Sequence, residues 1–179
     1  MIKNFDTSEN MRLELNIPDF AIVFGRYGGK ETFDIIFVHD VIKKILNERN
    51  NIYFLFMNTN KFYNHPKIIY LNGTTDMYIK KKFINTCNAL LHARSCGETF
   101  GLTCGEFAVA LKPVITYNGS KERNHINILN NKAILYNNFD ELFDILNTFD
   151  NNKYDMADNG YLFYNPINIM KIFSDTYLY

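Results

Sequence analysis

Two glutamates eight positions apart, Glu98 and Glu106, frame the segment Gly97-Glu98-Thr99-Phe100-Gly101-Leu102-Thr103-Cys104-Gly105-Glu106, the stretch of this chain whose residue types best fit chemistry. The segment follows a strand-like run and opens a helix expected to reach about Leu111. In an open α/β sheet, a loop that enters a helix beyond the carboxyl end of a strand presents unpaired backbone N–H groups. Gly97 and Gly101 let that backbone turn tightly and approach a ligand, and a diphosphate suits the place. Glu106 falls among Phe107, Ala108, Val109, Ala110 and Leu111, so its charge needs a partner; two ribose hydroxyls would supply one. Glu98, nearer the strand end, is placed to accept hydrogen bonds from sugar hydroxyls and to face positive charge at an anomeric carbon. A plainer reading stands beside this one. Thr103-x-x-Glu106 is also a capping box, Glu98 could be an ordinary loop carboxylate, and the spacing alone divides the two readings evenly.

A second glycine-rich turn, Gly25-Arg26-Tyr27-Gly28-Gly29-Lys30, leaves the first strand-like run. It lacks the G-x-G-x-x-G dinucleotide fingerprint, and the second strand ends in Phe56-Met57-Asn58 without the acidic residue a nicotinamide nucleotide would want. P-loop spacing is absent as well. The turn offers mobile backbone and two cations, Arg26 and Lys30, suited to a diphosphate leaving group whose charge grows as a glycosidic bond breaks. The alternative is a strand-to-helix loop with solvent-facing cations.

The elements that must position these residues alternate. Apolar runs at Phe20–Phe24, Ile52–Met57, Lys67–Leu71, Ala89–Ala93, Val114–Tyr117 and Ala133–Tyr136 read as strands buried on both faces. Between the first two, Ile35, Val38, Val41, Ile42, Ile45 and Leu46 recur at helical spacing. Asp76 is a good N-cap for a helix over Met77–Asn85, Leu142, Phe143, Leu146 and Phe149 mark another helix, and Pro166 suits the first turn of a last one. Right-handed crossovers then give an α/β fold with a doubly wound, mainly parallel six-stranded Rossmann-like sheet. Residues 1–18 read as a lead-in with a short helix, residues 19–150 as the domain proper, and residues 151–179 as a helical extension packed on it.

Taken together, these residues resemble the C-terminal domain of retaining GT-B glycosyltransferases carrying an E-x7-E motif, the group often called family four. The likeness runs from Leu13-Glu14-Leu15-Asn16-Ile17-Pro18 through GRYGGKETFD, FINTCNALLHARSCGETFGLTCGEFA and KPVITYNGS. It implies that Glu106 binds the nucleotide ribose and Glu98 faces the donor sugar, with Arg26 beside the phosphates as the second catalytic residue. Phe100, Gly101 and Leu102 fall where backbone amides meet sugar and phosphate, and Asn72, Gly73 and Thr74 on the loop bordering the base. Gly25, Gly28, Gly29, Lys30, Arg94 and Thr99 complete the expected donor site, although the spacing of Lys30 departs from the family's usual lysine. His92 either points inward beside Arg94 or is a satisfied buried histidine; His125 lies near the cleft edge, and His39 and His65 look structural or exposed. The resemblance implies retention of configuration without a cofactor or a divalent metal, and no D-x-D sequence occurs.

Composition sets limits. Lys plus Arg and Asp plus Glu both number 19, giving no net field for nucleic acid or anionic lipid, and the Lys80-Lys81-Lys82 cluster reads as a solvated helix face. Three cysteines without ligand spacing fit a reducing cytoplasmic setting. No run of 18 apolar residues suggests a transmembrane segment, so membrane association would be peripheral, through a partner. GT-B enzymes close two domains around donor and acceptor, so the expectation is a nucleotide-sugar-binding donor half. It would need an N-terminal domain in trans to act on a glycan, lipid or protein acceptor. The alternative is a non-catalytic module binding nucleotide sugar or another protein. An exposed apolar face is expected where a facing domain would dock.

Overall fold

The computed structural model describes residues 8–178; the first part of the expected lead-in, residues 1–7 with Lys3 and Asp6, lies outside the described residues. In chain order the elements are β1 (Ile22–Tyr27), α1 (Ile36–Glu48), β2 (Ile52–Met57), β3 (Ile68–Leu71), α2 (Met77–Thr86), β4 (Ala89–His92) and β5 (Gly97–Glu98). There follow α3 (Leu102–Val109), β6 (Val114–Tyr117), β7 (Glu122–Arg123), α4 (Asn124–Leu129), β8 (Ala133–Tyr136), α5 (Phe139–Asn147) and α6 (Pro166–Tyr177). Among the described residues, six strands form one parallel sheet in the order β3-β2-β1-β4-β6-β8. The chain winds outward from β1 in one direction and from β4 in the other. The two strands therefore flank a topological switch point, where loops leaving their carboxyl ends diverge and open a crevice.

Strand side chains alternate between two cores. Phe24, Phe54, Phe56 and Leu91 pack with Val38, Ile42 and Ile45 of α1 and Leu142 and Leu146 of α5. Val23, Leu55, Met57 and Leu90 pack with Phe83 and Ile84 of α2 and Cys104, Phe107 and Ala108 of α3. Burial on both faces explains why the strands read as apolar runs with little polar alternation. Asp76 caps α2, accepting from the amides of Tyr78 (2.8 Å) and Ile79 (3.4 Å), and Pro166 opens α6.

Several expectations are corrected. β1 begins at Ile22, not Phe20, which is 76% exposed, and it continues through Gly25 and Arg26, so the glycine-rich turn starts only at Gly28. The described part of the lead-in forms a turn rather than a helix. It is pinned by Met11 N–H on Thr86 Oγ1 (2.8 Å) and by Arg12, which donates to the Pro18 and Ala21 carbonyls and to Asn88 Oδ1. Helix α3 stops at Val109, because Leu111 takes a left-handed φ of 56° and Lys112 N–H turns back to the Phe107 carbonyl. The small β5–β7 ladder and helix α4 were not foreseen. No residue of α6 is buried, and Ile167, Met170, Phe173 and Tyr177 stand exposed along it.

Candidate functional site

At the switch point lies a cavity of about 280 Å³. Its walls are Tyr27 and Gly28 at the end of β1, Met57 and Asn58 at the end of β2, and Gly73 and Thr74 from the loop before α2. Lys80 of α2 and Leu102, Thr103 and Glu106 of α3 close it. Helix α3 aims its N-terminus here. Gly101 is its N-cap, with φ 78° and ψ 68°, and the first intrahelical bond runs from Gly105 N–H to the Gly101 carbonyl at 2.9 Å. The N–H groups of Leu102, Thr103 and Cys104 precede that bond, leaving the helix end suited to negative charge.

The capping-box alternative does not form. Gly101, not Thr103, is the N-cap, and Thr103 Oγ1 instead donates to the Tyr27 carbonyl at 3.3 Å, tying α3 to the end of β1. Glu106 is thus one full turn inside the helix, facing the cavity. Among the described residues no hydrogen bond or ion pair reaches its carboxylate, and burial pushes its pKa up to about 7. A half-buried carboxyl with no protein partner, beside helix-terminal N–H groups, is a site prepared for hydroxyl donors.

Glu98 lives differently. Backbone pairing of β5 with β7 fixes it: Gly97 has φ 73°, and a Cβ there would stand 1.9 Å from the Glu122 carbonyl oxygen, so only glycine fits. Arg94 Nη1 donates to Glu98 Oε1 at 2.8 Å, and His92 Nε2 lies 3.5 Å from the same oxygen. Burial opposes the charge of Glu98, but those hydrogen bonds and the charge of Arg94 outweigh it and hold the pKa down at about 2. Behind His92 the polar contacts continue inward, from His92 Nδ1 to Thr116 Oγ1 and from Thr116 Oγ1 to His125 Nε2, each 2.9 Å. His125 is fully buried, and burial lowers its pKa to about 4. Glu98 does not line the Glu106 cavity; it packs beneath Gly101, where a Cβ would meet Glu98 Cβ at 3.3 Å.

The first glycine-rich segment is rearranged relative to expectation. Gly25 is a buried strand residue whose missing Cβ makes room for Cys87 Sγ, 2.3 Å from where it would stand. Arg26 is buried and spends its guanidinium on the protein: Nη1 donates to the Asn58 carbonyl (3.0 Å) and Thr59 Oγ1 (2.5 Å), Nη2 to the Gly29 carbonyl (2.6 Å) and Thr32 Oγ1 (2.7 Å). Burial lowers its pKa to about 10, and it remains cationic at neutral pH. In this arrangement it braces the loops after β1 and β2 rather than presenting free donors. Lys30 lines a separate cavity of about 330 Å³ with Phe33, His39, Lys61 and Phe62. There His39 stacks on Phe62 with centroids 4.0 Å apart, and His65 is half-buried near Tyr63.

Of the other expected donor contacts, Gly28, Gly73, Thr74, Leu102 and Glu106 meet at one cavity, whereas Gly29, Asn72, Arg94 and Thr99 do not line it. Thr99 is exposed, with its carbonyl accepting from Asn124 Nδ2. Phe100 turns its ring edge-on to Tyr161 and Tyr164, and its carbonyl accepts from the Tyr161 hydroxyl. It lines an apolar cavity of about 220 Å³ on the far side of Leu102 and Glu106, with Val109 and Ile169. Sequence reasoning missed Lys80, dismissed as solvated, although it stands three and four residues before the buried Phe83 and Ile84 and so shares their face. Its Nζ lies 5.6 Å from the Tyr27 ring centroid. The Tyr27 hydroxyl, also overlooked, is buried without a hydrogen-bond partner among the described residues. Among the described residues no group of three or more His, Cys, Asp or Glu side chains is gathered for a metal ion. Cys87, Cys96 and Cys104 are all free thiols.

This parallel sheet with flanking helices is the Rossmann-like fold of C-terminal GT-B domains. The chain is similar in structure to Anabaena Alr3699/HepE, solved with UDP-glucose, at TM-score 0.73 and 14% identity over 93% of this chain and 50% of that one. It is similar also to the trehalose-6-phosphate synthase OtsA, at TM-score 0.65 and 15% identity over 92% of this chain and 44% of that one. A third likeness is to the C-terminal domain of a glycosyl transferase group 1 family protein, LpcC, from Francisella tularensis, at TM-score 0.61 and 14% identity over 89% of this chain and 92% of that domain. The chain therefore spans about half the length of HepE and OtsA. No protein-family model and no curated protein sequence matches it.

Proposed function

We propose that this chain is the donor-binding half of a retaining, hexosyltransferase-like glycosyltransferase, holding a nucleotide sugar at the switch-point cavity and acting with a facing acceptor domain. The observation that carries the reading is Glu106: a carboxyl without a partner among the described residues, its pKa pushed up to about 7 by burial, on the wall of a cavity of about 280 Å³ at the N-terminus of α3. Ribose hydroxyls donating to Glu106 would relieve its isolation. The diphosphate would meet the N–H groups at the start of α3 and the Lys80 ammonium, while Gly73 and Thr74 border the base. Glu98 faces the sugar, and the E-x7-E spacing is the distance between these two roles. Cations and backbone amides take the part a divalent metal would otherwise play. HepE, similar in fold, has been solved with UDP-glucose and with UDP and glucose, which supports this ligand class. No helix among the described residues is long and apolar enough to cross a membrane, and we place the work of this half in the cytoplasm, on an acceptor that is a glycan, a lipid or a protein.

The test is a titration with UDP-, GDP- and dTDP-sugars on the chain and on Glu106→Ala. One of the three should bind and the variant should lose it; unchanged affinity in the variant would end the ribose role of Glu106. A second reading, a nucleotide-sugar-binding module without transferase activity, is favoured by Arg26, whose guanidinium already serves four protein acceptors. Transfer assays with and without a co-expressed N-terminal GT-B domain separate the two.

A further inference from the structure

Buried polar groups at the carboxyl ends of β4 and β6 call for an explanation. His92 and Thr116 are register partners on adjacent parallel strands that are otherwise apolar there. Both are buried, and the ring they reach, His125, is fully so. Three polar side chains between a sheet and a helix cost desolvation that Leu or Val would avoid. Their contacts run in a line ending on Glu98, and the chemistry of its end fixes the direction of that line. Glu98 is held ionised and can only accept, so the His92 nitrogen facing it, Nε2, carries the hydrogen. Arg94 supplies a cation to the same oxygen, and in the Nε2–H tautomer the Nδ1 of His92 keeps a lone pair. Thr116 must then donate its hydroxyl hydrogen to His92 Nδ1 and accept at the same oxygen from His125 Nε2–H. In this direction the lone pair falls on His125 Nδ1, which is buried and has no hydrogen-bond partner among the described residues, although the nearby Glu98 carbonyl favours a proton on that ring. An unmet acceptor is the more tolerable of the two orphans.

We propose that His92 is a positioning residue: the one-way chain from His125 through Thr116 and His92 holds Glu98 by Oε1, leaving Oε2 to receive a hydroxyl of the donor sugar. Both protein donors, from His92 and Arg94, meet Oε1, and among the described residues none meets Oε2. Only the identity of that hydroxyl rests on the donor-site reading. The ionisable groups around the chain include Arg94 and Glu98 on the β4–α3 connection, Cys104 on α3, Asp34 before α1, His125 and Arg123 at α4, Tyr161, and Arg26 on β1.

The test joins two readouts on the full chain. Long-range ¹H–¹⁵N spectra of histidine-labelled protein near pH 7 should show His92 and His125 both as neutral Nε2–H tautomers. An Nδ1–H form of either ring, or a doubly protonated His92, overturns the chain. Next, the affinity for a nucleotide sugar relative to its free nucleoside diphosphate is compared across variants. His92→Leu and Thr116→Val should each lower that ratio by about fivefold or more, whereas His92→Gln, which keeps a donor near Nε2, and Thr116→Ser, which keeps the hydroxyl, should restore most of it. A ratio unmoved by His92→Leu, or one lowered equally by His92→Gln, overturns the positioning role. If the chain binds no nucleotide sugar, the donor reading fails separately. A ¹³C titration of the Glu98 carboxyl then decides, because His92→Leu must raise its midpoint and an unshifted midpoint refutes the role.

Discussion

The two ends of the Gly97–Glu106 segment treat their carboxylates in opposite ways. Glu98 is clamped by a two-residue ladder, paired with Arg94 and backed by His92, and its pKa falls to about 2. Glu106, eight residues on, has no hydrogen-bond or ion-pair partner among the described residues, and burial raises its pKa to about 7. Both are partly buried in one segment, so location alone does not separate them; what surrounds each oxygen does. A carboxylate with its own donors is prepared in charge and orientation before any ligand arrives. One left without donors is costly to ionise until a ligand brings them, which couples ligand binding to its ionisation. Under the function proposed above, the contrast suits Glu98 to facing a reacting centre and Glu106 to recognising a nucleotide.

The contrast breaks most severely at Gly97. Substituting alanine forces a side chain to adopt φ 73° and drives its Cβ into the Glu122 carbonyl. Gly97→Ala should cost about 3 kcal/mol or more in denaturant unfolding; a loss under about 0.5 kcal/mol, the size of an ordinary surface change, would mean that the β5–β7 clamp does not hold Glu98. Next comes Glu106→Gln, which should weaken nucleotide-sugar binding about tenfold, or about 1.4 kcal/mol, while stabilising the ligand-free chain in alkaline buffer. The sign follows from the raised pKa. The folded protein holds the proton more tightly than the unfolded one, so the cost of Glu106 is absent below its ordinary 4.5, grows with pH and is complete above about 7. Melting temperatures of chain and variant should thus diverge at pH 8 and converge at pH 4, and equal melting at both would sink the claim of an isolated carboxyl.

A comparable effect is expected in the pH profile of affinity. Nucleotide-sugar binding that needs an ionised Glu106 should strengthen about tenfold from pH 6 to pH 8 and flatten in Glu106→Gln. Glu98 adds nothing in that window, because its pKa is depressed: its stabilising contribution is complete above about 4.5 and is lost only as the pH falls toward 2. The smallest effect belongs to Lys80→Met, expected to cost about threefold in affinity at low salt and less at high salt. A salt-independent loss would point to packing against Tyr27 rather than to charge.

Much of this architecture was legible in the sequence. Apolar runs alternating with amphipathic helices sufficed for the doubly wound sheet, since strands covered on both faces must be apolar throughout. Gly25 misled because a glycine reads as a turn, when here it makes room for Cys87 inside a strand. That error placed Arg26 in a loop facing a ligand, whereas it lies at a strand end with four internal acceptors. The capping-box pattern was present in letters yet unused, because the cap position fell to Gly101 in a left-handed conformation that the motif does not reveal. Lys80 was readable from helical phase but was obscured by Lys81 and Lys82 beside it. The His92–Thr116 pairing depends on register between strands 24 residues apart, and no local pattern carries that information.

The central claim, that Glu106 is the ribose acceptor, is tested most directly by pairing a change in the ligand with a change in the protein. The best-binding nucleotide sugar and its 2′,3′-dideoxy analogue are titrated calorimetrically against the chain and against Glu106→Gln. The account predicts that removing the hydroxyls costs the chain about tenfold or more in affinity and costs the variant little. An equal loss in both proteins would contradict it.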